Sequence, residues 1–95
     1  MLLDDRPRHV PDAVSTAVGE EEVIVHAGQG MVRVVNGVGA RLWSLADGRR
    51  SIGDMASQIA VEYEVTPERA RADALAFCME LVTRGLLIVD NRGEA

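Results

Sequence analysis

The hydrophobic period of this chain changes once, at Asn36, and the change divides it into two blocks. Before Asn36, β-branched residues gather in short runs separated by acidic or glycine-rich punctuation, as they do in strands. After it, apolar residues recur at helical spacing. Strands first and helices second make an α+β domain.

Three strands are expected in the first block, a weak one at residues 13–18 and two firmer ones at 23–26 and 31–35. Ala27-Gly28-Gln29-Gly30 supplies glycines for the positive φ angles of a tight turn, so the last two strands should pair as an antiparallel hairpin. In the second block Asn36 is placed to cap a first helix, in which Val38, Leu42 and Leu45 share a face, Trp43 lies beside them and Gly48 follows as a stop. Ser51, with Asp54 three residues on, is a variant capping box for a second helix that buries Ile52, Met55, Ala56, Ile59 and Tyr63. The third helix has the clearest start: Thr66 as cap, Pro67 at the first helical position and Glu68 against the positive end of the dipole. Val65 and Ala70 are spaced for a hydrophobic staple, and Gly85 ends the helix. Residues 86–89 are then a short strand or a packed tail. The expected architecture is a winged helix-like domain over residues 10–90, a three-stranded antiparallel sheet followed by three helices. Residues 1–9 are expected to be a flexible N-terminal arm and residues 91–95 a flexible tail.

Composition narrows the function. Ninety-five residues, 47% of them apolar, hold one domain. A small-molecule pocket of about 300–1,000 Å³ would hollow much of its core, which argues for a binding domain rather than an enzyme. Fifteen acidic and ten basic residues give a net charge of −5, which repels phosphate backbones and argues against nucleic acid. Cys78 is the single cysteine, the N-terminus lacks the apolar core of a signal peptide, and no apolar run reaches the roughly 20 residues that span a bilayer. A cytoplasmic protein with no membrane partner is expected.

From Asn36 to Leu87 the chain carries, in order, Asn36, Gly39, Leu42-Trp43, Leu45, Asp47-Gly48, the helix from Ile52 to Ile59, Asp73, Phe77, Leu81 and Gly85-Leu86-Leu87. In this order and spacing the stretch resembles the PqqD-like family. Its members include the recognition elements for precursor peptides of ribosomally made, post-translationally modified peptide pathways. The resemblance implies three strands and three helices that do no chemistry. It implies a precursor leader peptide bound as an added strand on the third strand, in the groove beside the third helix. The domain would deliver that leader to a modifying enzyme or leader peptidase, in a lasso-peptide or radical-enzyme type pathway. Ala74 and Cys78 stand where larger aliphatic residues are usual, so packing of the third helix on the sheet is expected to differ in detail.

The residues give the same site an energetic outline. The third strand, Met31, Val32, Arg33, Val34 and Val35, precedes a helix and so has one edge free of an in-chain partner. About five added backbone hydrogen bonds at roughly 0.5–1.5 kcal/mol each nearly balance the roughly 2–5 kcal/mol cost of ordering a leader. Micromolar binding needs about −8 kcal/mol, so side chains must supply the rest. On the third helix Ala70, Ala74, Phe77, Cys78 and Leu81 form a core stripe, while Leu75, Ala76 and Met79 are apolar on a flank that is usually charged. With Arg71 and Ala72, that flank is the expected groove wall. Burying about 200 Å² there contributes roughly 5 kcal/mol before the costs of association. Arg33 is either a solubilising edge charge or a contact for an acidic leader side chain, and the face of the strand it occupies is left open.

Rival readings use the same residues. Leu75 and Met79 could pack under the N-terminal arm or form a homodimer interface, so monomer and homodimer both stand. A winged-helix DNA-binding regulator would read with the third helix, but Arg69, Arg71 and Arg84 are offset there by Glu68, Asp73 and Glu80. His9, His26 and Cys78 lack metal-ligand spacing, and neither Gly28-Gln29-Gly30 nor Gly37-Val38-Gly39 extends to a phosphate-binding fingerprint. Glu20-Glu21-Glu22 reads as a solvated loop. No catalytic residue, metal or cofactor is expected.

Overall fold

The computed structural model describes residues 1–90; the expected tail, 91–95, lies outside the described residues. The element order is β1 (Arg6–His9), β2 (Ala13–Val18), β3 (Glu21–His26), β4 (Met31–Asn36), α1 (Val38–Leu45), α2 (Ile52–Tyr63), α3 (Pro67–Thr83) and β5 (Leu87–Asp90). The three expected strands are β2, β3 and β4, and they form one antiparallel sheet in chain order. The α+β reading with three helices after the sheet holds.

Helix boundaries follow their caps. The Ser51 side chain accepts from the Asp54 N–H and the Asp54 carboxylate accepts from the Ser51 N–H, completing the capping box. At α3 the Thr66 hydroxyl accepts from the Arg69 N–H, and Pro67 occupies the first turn. At the far end the Gly85 N–H donates to Val82 and the Leu86 N–H to Leu81, a Schellman closure with Gly85 at φ +77°. One cap differs from expectation. Asn36 ends β4, and Gly37 at φ 54° precedes α1 with no side-chain cap, because the chain must turn sharply between strand and helix.

The larger difference is at the N-terminus, where most of the segment expected to be a loose arm is built into the domain. β1 pairs antiparallel with β5, opposing Pro7 to Val89 and His9 to Leu87, and Pro7 is fully buried. The Pro7 carbonyl accepts from Gly48, that of Asp5 from Ile52 and that of Leu3 from Gly53. The last two donors are first-turn amides of α2, which no intrahelical carbonyl can reach. The short segment after Gly85 is therefore a strand, held by a partner at the other end of the chain.

One apolar core lies between the three-stranded sheet and the helices, built from Ile24, Val35, Leu42, Trp43, Met55, Ile59, Ala74, Cys78, Leu81 and Leu86 among others. Trp43 is central rather than peripheral. Its indole N–H donates to Ser15 Oγ at 2.9 Å, and its rings stack on His9 at 3.6 Å, whose Nε2–H donates to the Trp43 carbonyl. Tyr63, expected in the core, is 40% exposed, since α2 ends there with Glu64 in the left-handed region. Arg41 of α1 grips both carboxylate oxygens of Glu62 of α2 at 2.8 Å; with Gln58, it draws the Glu62 pKa down to about 2.

Candidate functional site

β4 pairs with β3 on one side only, so alternate residues of β4 turn their N–H and C=O groups to an edge that no other described strand occupies. The pairing also settles the face of each side chain. Ile24, buried against the helices, lies opposite Arg33, and buried His26 lies opposite Met31. Met31, Arg33 and Val35 thus face the helices, while Val32 and Val34 face solvent at 62% and 46% exposure.

The helix-facing side of β4 meets α3. Val35 and Phe77 both approach Gly39, where an added Cβ would come 3.5 Å from each side chain. Two positions along β4, an Arg33 Nη donates to Glu80 Oε2 of α3. The same oxygen accepts from Arg84 Nε at 2.9 Å. Arg33 Nε is buried, with no hydrogen-bond partner among the described residues.

Two hollows open along this seam, with Glu80 in the wall of both. One, of about 290 Å³, lies where α1 begins, between Val38, Gly39 and Leu42 on one side and Asp73, Ala76 and Phe77 on the other. The other, of about 440 Å³, lies toward the end of α3 and is lined by Met79, Thr83 and Arg84. The Gln29 side chain of the β3–β4 turn approaches Gly85, so β4 runs from the end of α3 back toward its middle; its link to the hollows is Arg33 on Glu80, since none of its own residues lines either.

The structure divides the α3 residues picked from sequence. Ala76 and Met79 line the hollows, and Met79 is 54% exposed. Arg71, Ala72 and Leu75 line neither hollow. Leu75 packs against the core, about 140–160° around the helix from Phe77 and Glu80. Phe77, Glu80 and Asp73 also line the hollows, and the sequence did not single them out as a binding wall. Phe77 read as plain core and the two acids as solvated surface, although Asp73, Ala76, Phe77 and Glu80 fall at the helical spacing of one flank.

Among the described residues, the histidines and the cysteine serve the fold. Cys78 is fully buried, and burial pushes its thiol up to about 12. His26 caps the β3–β4 turn, its Nδ1 accepting from the Gln29 N–H. No cluster of three potential metal ligands occurs among the described residues, and none of their helices is long and apolar enough to cross a membrane. Arg69 and Arg84, which a DNA-reading helix would present to phosphates, are paired within α3 to Asp73 and Glu80.

Comparison with known proteins adds three findings. The family described as coenzyme PQQ synthesis protein D (PqqD) matches residues 21–87. A PqqA binding protein of Gluconobacter oxydans (strain 621H) is 35% identical over 54 residues, which are 57% of this chain and 56% of that protein. The alignment thus spans little more than half of the relative. Among solved structures, TbiB1 in complex with the TbiA(beta) leader peptide superposes with a TM-score of 0.78 at 26% identity, covering 93% of this chain and 98% of that one. A lasso peptide synthetase B1 complexed with the leader peptide superposes with a TM-score of 0.79, covering 87% and 98%. At 22% identity the second speaks for the fold alone.

Proposed function

This chain belongs to the PqqD family of coenzyme PQQ synthesis proteins, and from that premise we propose that it binds the leader of a ribosomally made precursor peptide. It does no chemistry on the leader and presents it in the cytoplasm to a modifying enzyme or leader peptidase. The observation that carries this reading is the free edge of β4 beside a seam with two hollows of about 290 and 440 Å³. An added strand would extend the β2–β3–β4 sheet and place every second side chain on the helix-facing side, over the hollows. Backbone pairing supplies register, and burial in the hollows supplies most of the affinity.

In this reading Met31, Val32, Arg33, Val34 and Val35 offer the edge, and Ala76, Phe77 and Met79 offer the walls. Arg71, Ala72 and Leu75 have no part in it. The leader peptide in the TbiB1 complex, and the name of the Gluconobacter relative, support the same class of ligand.

Titration of a fluorescent leader peptide, followed by anisotropy, tests it. Ala76→Asp and Met79→Asp place a charge in each hollow without touching the core, and each should weaken binding at least about tenfold, near 1.4 kcal/mol. Val61→Ser, at an exposed position of α2 that lines neither hollow, should leave affinity within about twofold. If both aspartate variants fold and bind as tightly as the parent, the groove is elsewhere.

A further inference from the structure

Resting on the reading above, the inference concerns what the groove selects. Arg33 sits midway along β4, two positions from Val35 beside one hollow and two from Met31 toward the other. It is the one cation among the side chains that β4 turns to the helices.

Its own partner does not use it fully. Glu80 gives a single oxygen, Oε2, to both Arg33 and Arg84, while Arg33 Nε has no acceptor among the described residues. Guanidinium geometry offers five donors in a planar fork suited to carboxylates. With Asp73 held by Arg69 at the other end of the seam, three guanidiniums meet two carboxylates. Over these ion pairs alone the excess is one positive charge, in a chain whose net charge is −5. Remote acidic groups are screened beyond about 8 Å at physiological salt, so a ligand in the seam responds to this local excess.

We infer that β4 and α3 read an acidic side chain in the leader, set opposite Arg33 and flanked two residues to either side by apolar side chains. The spacing follows from strand geometry. In an added strand the residues facing the helices are i, i+2 and i+4. The outer two lie over the hollows walled by Phe77 and by Met79, and the middle one lies beside the Arg33 guanidinium. Its carboxylate takes Nη donors at the part-exposed end of the guanidinium that Glu80 leaves unused, the buried Nε staying out of reach, and Glu80 keeps Arg84. Arg33 is on this account a specificity-determining residue, and its inward face on an edge strand serves selection rather than solubility.

Display selection of random ten-residue peptides against the full chain tests this. The wild type should enrich Asp or Glu between two apolar residues at i−2 and i+2. Changing that acid to its amide in the selected peptide should weaken binding to the wild type about tenfold. Arg33→Gln should lose the acidic preference and keep the apolar spacing, and Arg33→Lys should retain the preference. Selection of the apolar spacing without an acid, or amide-substituted peptides that bind equally well, would overturn the inference and leave peptide binding intact. Failure to enrich any strand-forming peptide would overturn both. The amide comparison uses only wild-type protein, so it decides the matter even if an Arg33 variant does not fold.

Discussion

At the scale of single residues, the chain uses side chains in places where their ordinary chemistry is suppressed. Cys78 lies in the core stripe of α3, fully buried, with its thiol held far from ionisation. A thiol reagent at pH 8 should therefore leave the native protein essentially unlabelled over an hour and modify it completely in denaturant. Rapid native labelling would mean that α3 opens easily from the sheet. Gly85 closes α3 at φ +77°, and an added Cβ would come 3.2 Å from Gln29 Nε2. Gly85→Ala should cost about 1–2 kcal/mol in urea denaturation, since an L side chain is strained in that region. His9 and His26 serve as a stacking plate for Trp43 and a turn cap. Their isolation from Cys78 and from each other already suggested structural roles.

At the scale of elements, the legible parts were those with local chemistry. Ser51 with Asp54, and Thr66 with Pro67, announce helix starts because their capping partners lie within three residues. The strand faces were illegible for a physical reason. Val14, Val25 and Val32 form one cross-strand row and Val23 lies opposite Val34 in the next, so the solvent side of the sheet is as β-branched as the core side. Ile24, His26 and Val35, buried on the helix side, decide which way Arg33 points. The flank of α3 beside the seam was illegible for a similar reason, because it carries Asp73 and Glu80 while Leu75, packed on the core, is apolar. β1 was hidden by the charges of Arg6 and Arg8, although buried Pro7 lies between them and a strand at a sheet edge tolerates proline. Its docking has a measurable consequence. Removing residues 1–9 strips β5 of its partner and α2 of two carbonyl acceptors, and should lower stability by at least about 2 kcal/mol. A loose arm would leave the urea midpoint unchanged.

At the scale of the whole molecule, two sheets frame the helices, and their edges differ in use. β1 and β5 pair the first and last described strands, while the larger sheet stops at β4, which is joined to α3 by Arg33 on Glu80. An open edge is normally an aggregation hazard; under the proposal it is the surface on which the leader docks. Amide hydrogen exchange across residues 31–36, with and without a saturating leader peptide, tests that claim most directly. Strand addition predicts slowing of at least about tenfold at alternate amides of β4, those turned to the free edge, while the amides already bonded to β3 change little. A peptide that binds tightly while the exchange of every β4 amide stays the same would contradict it.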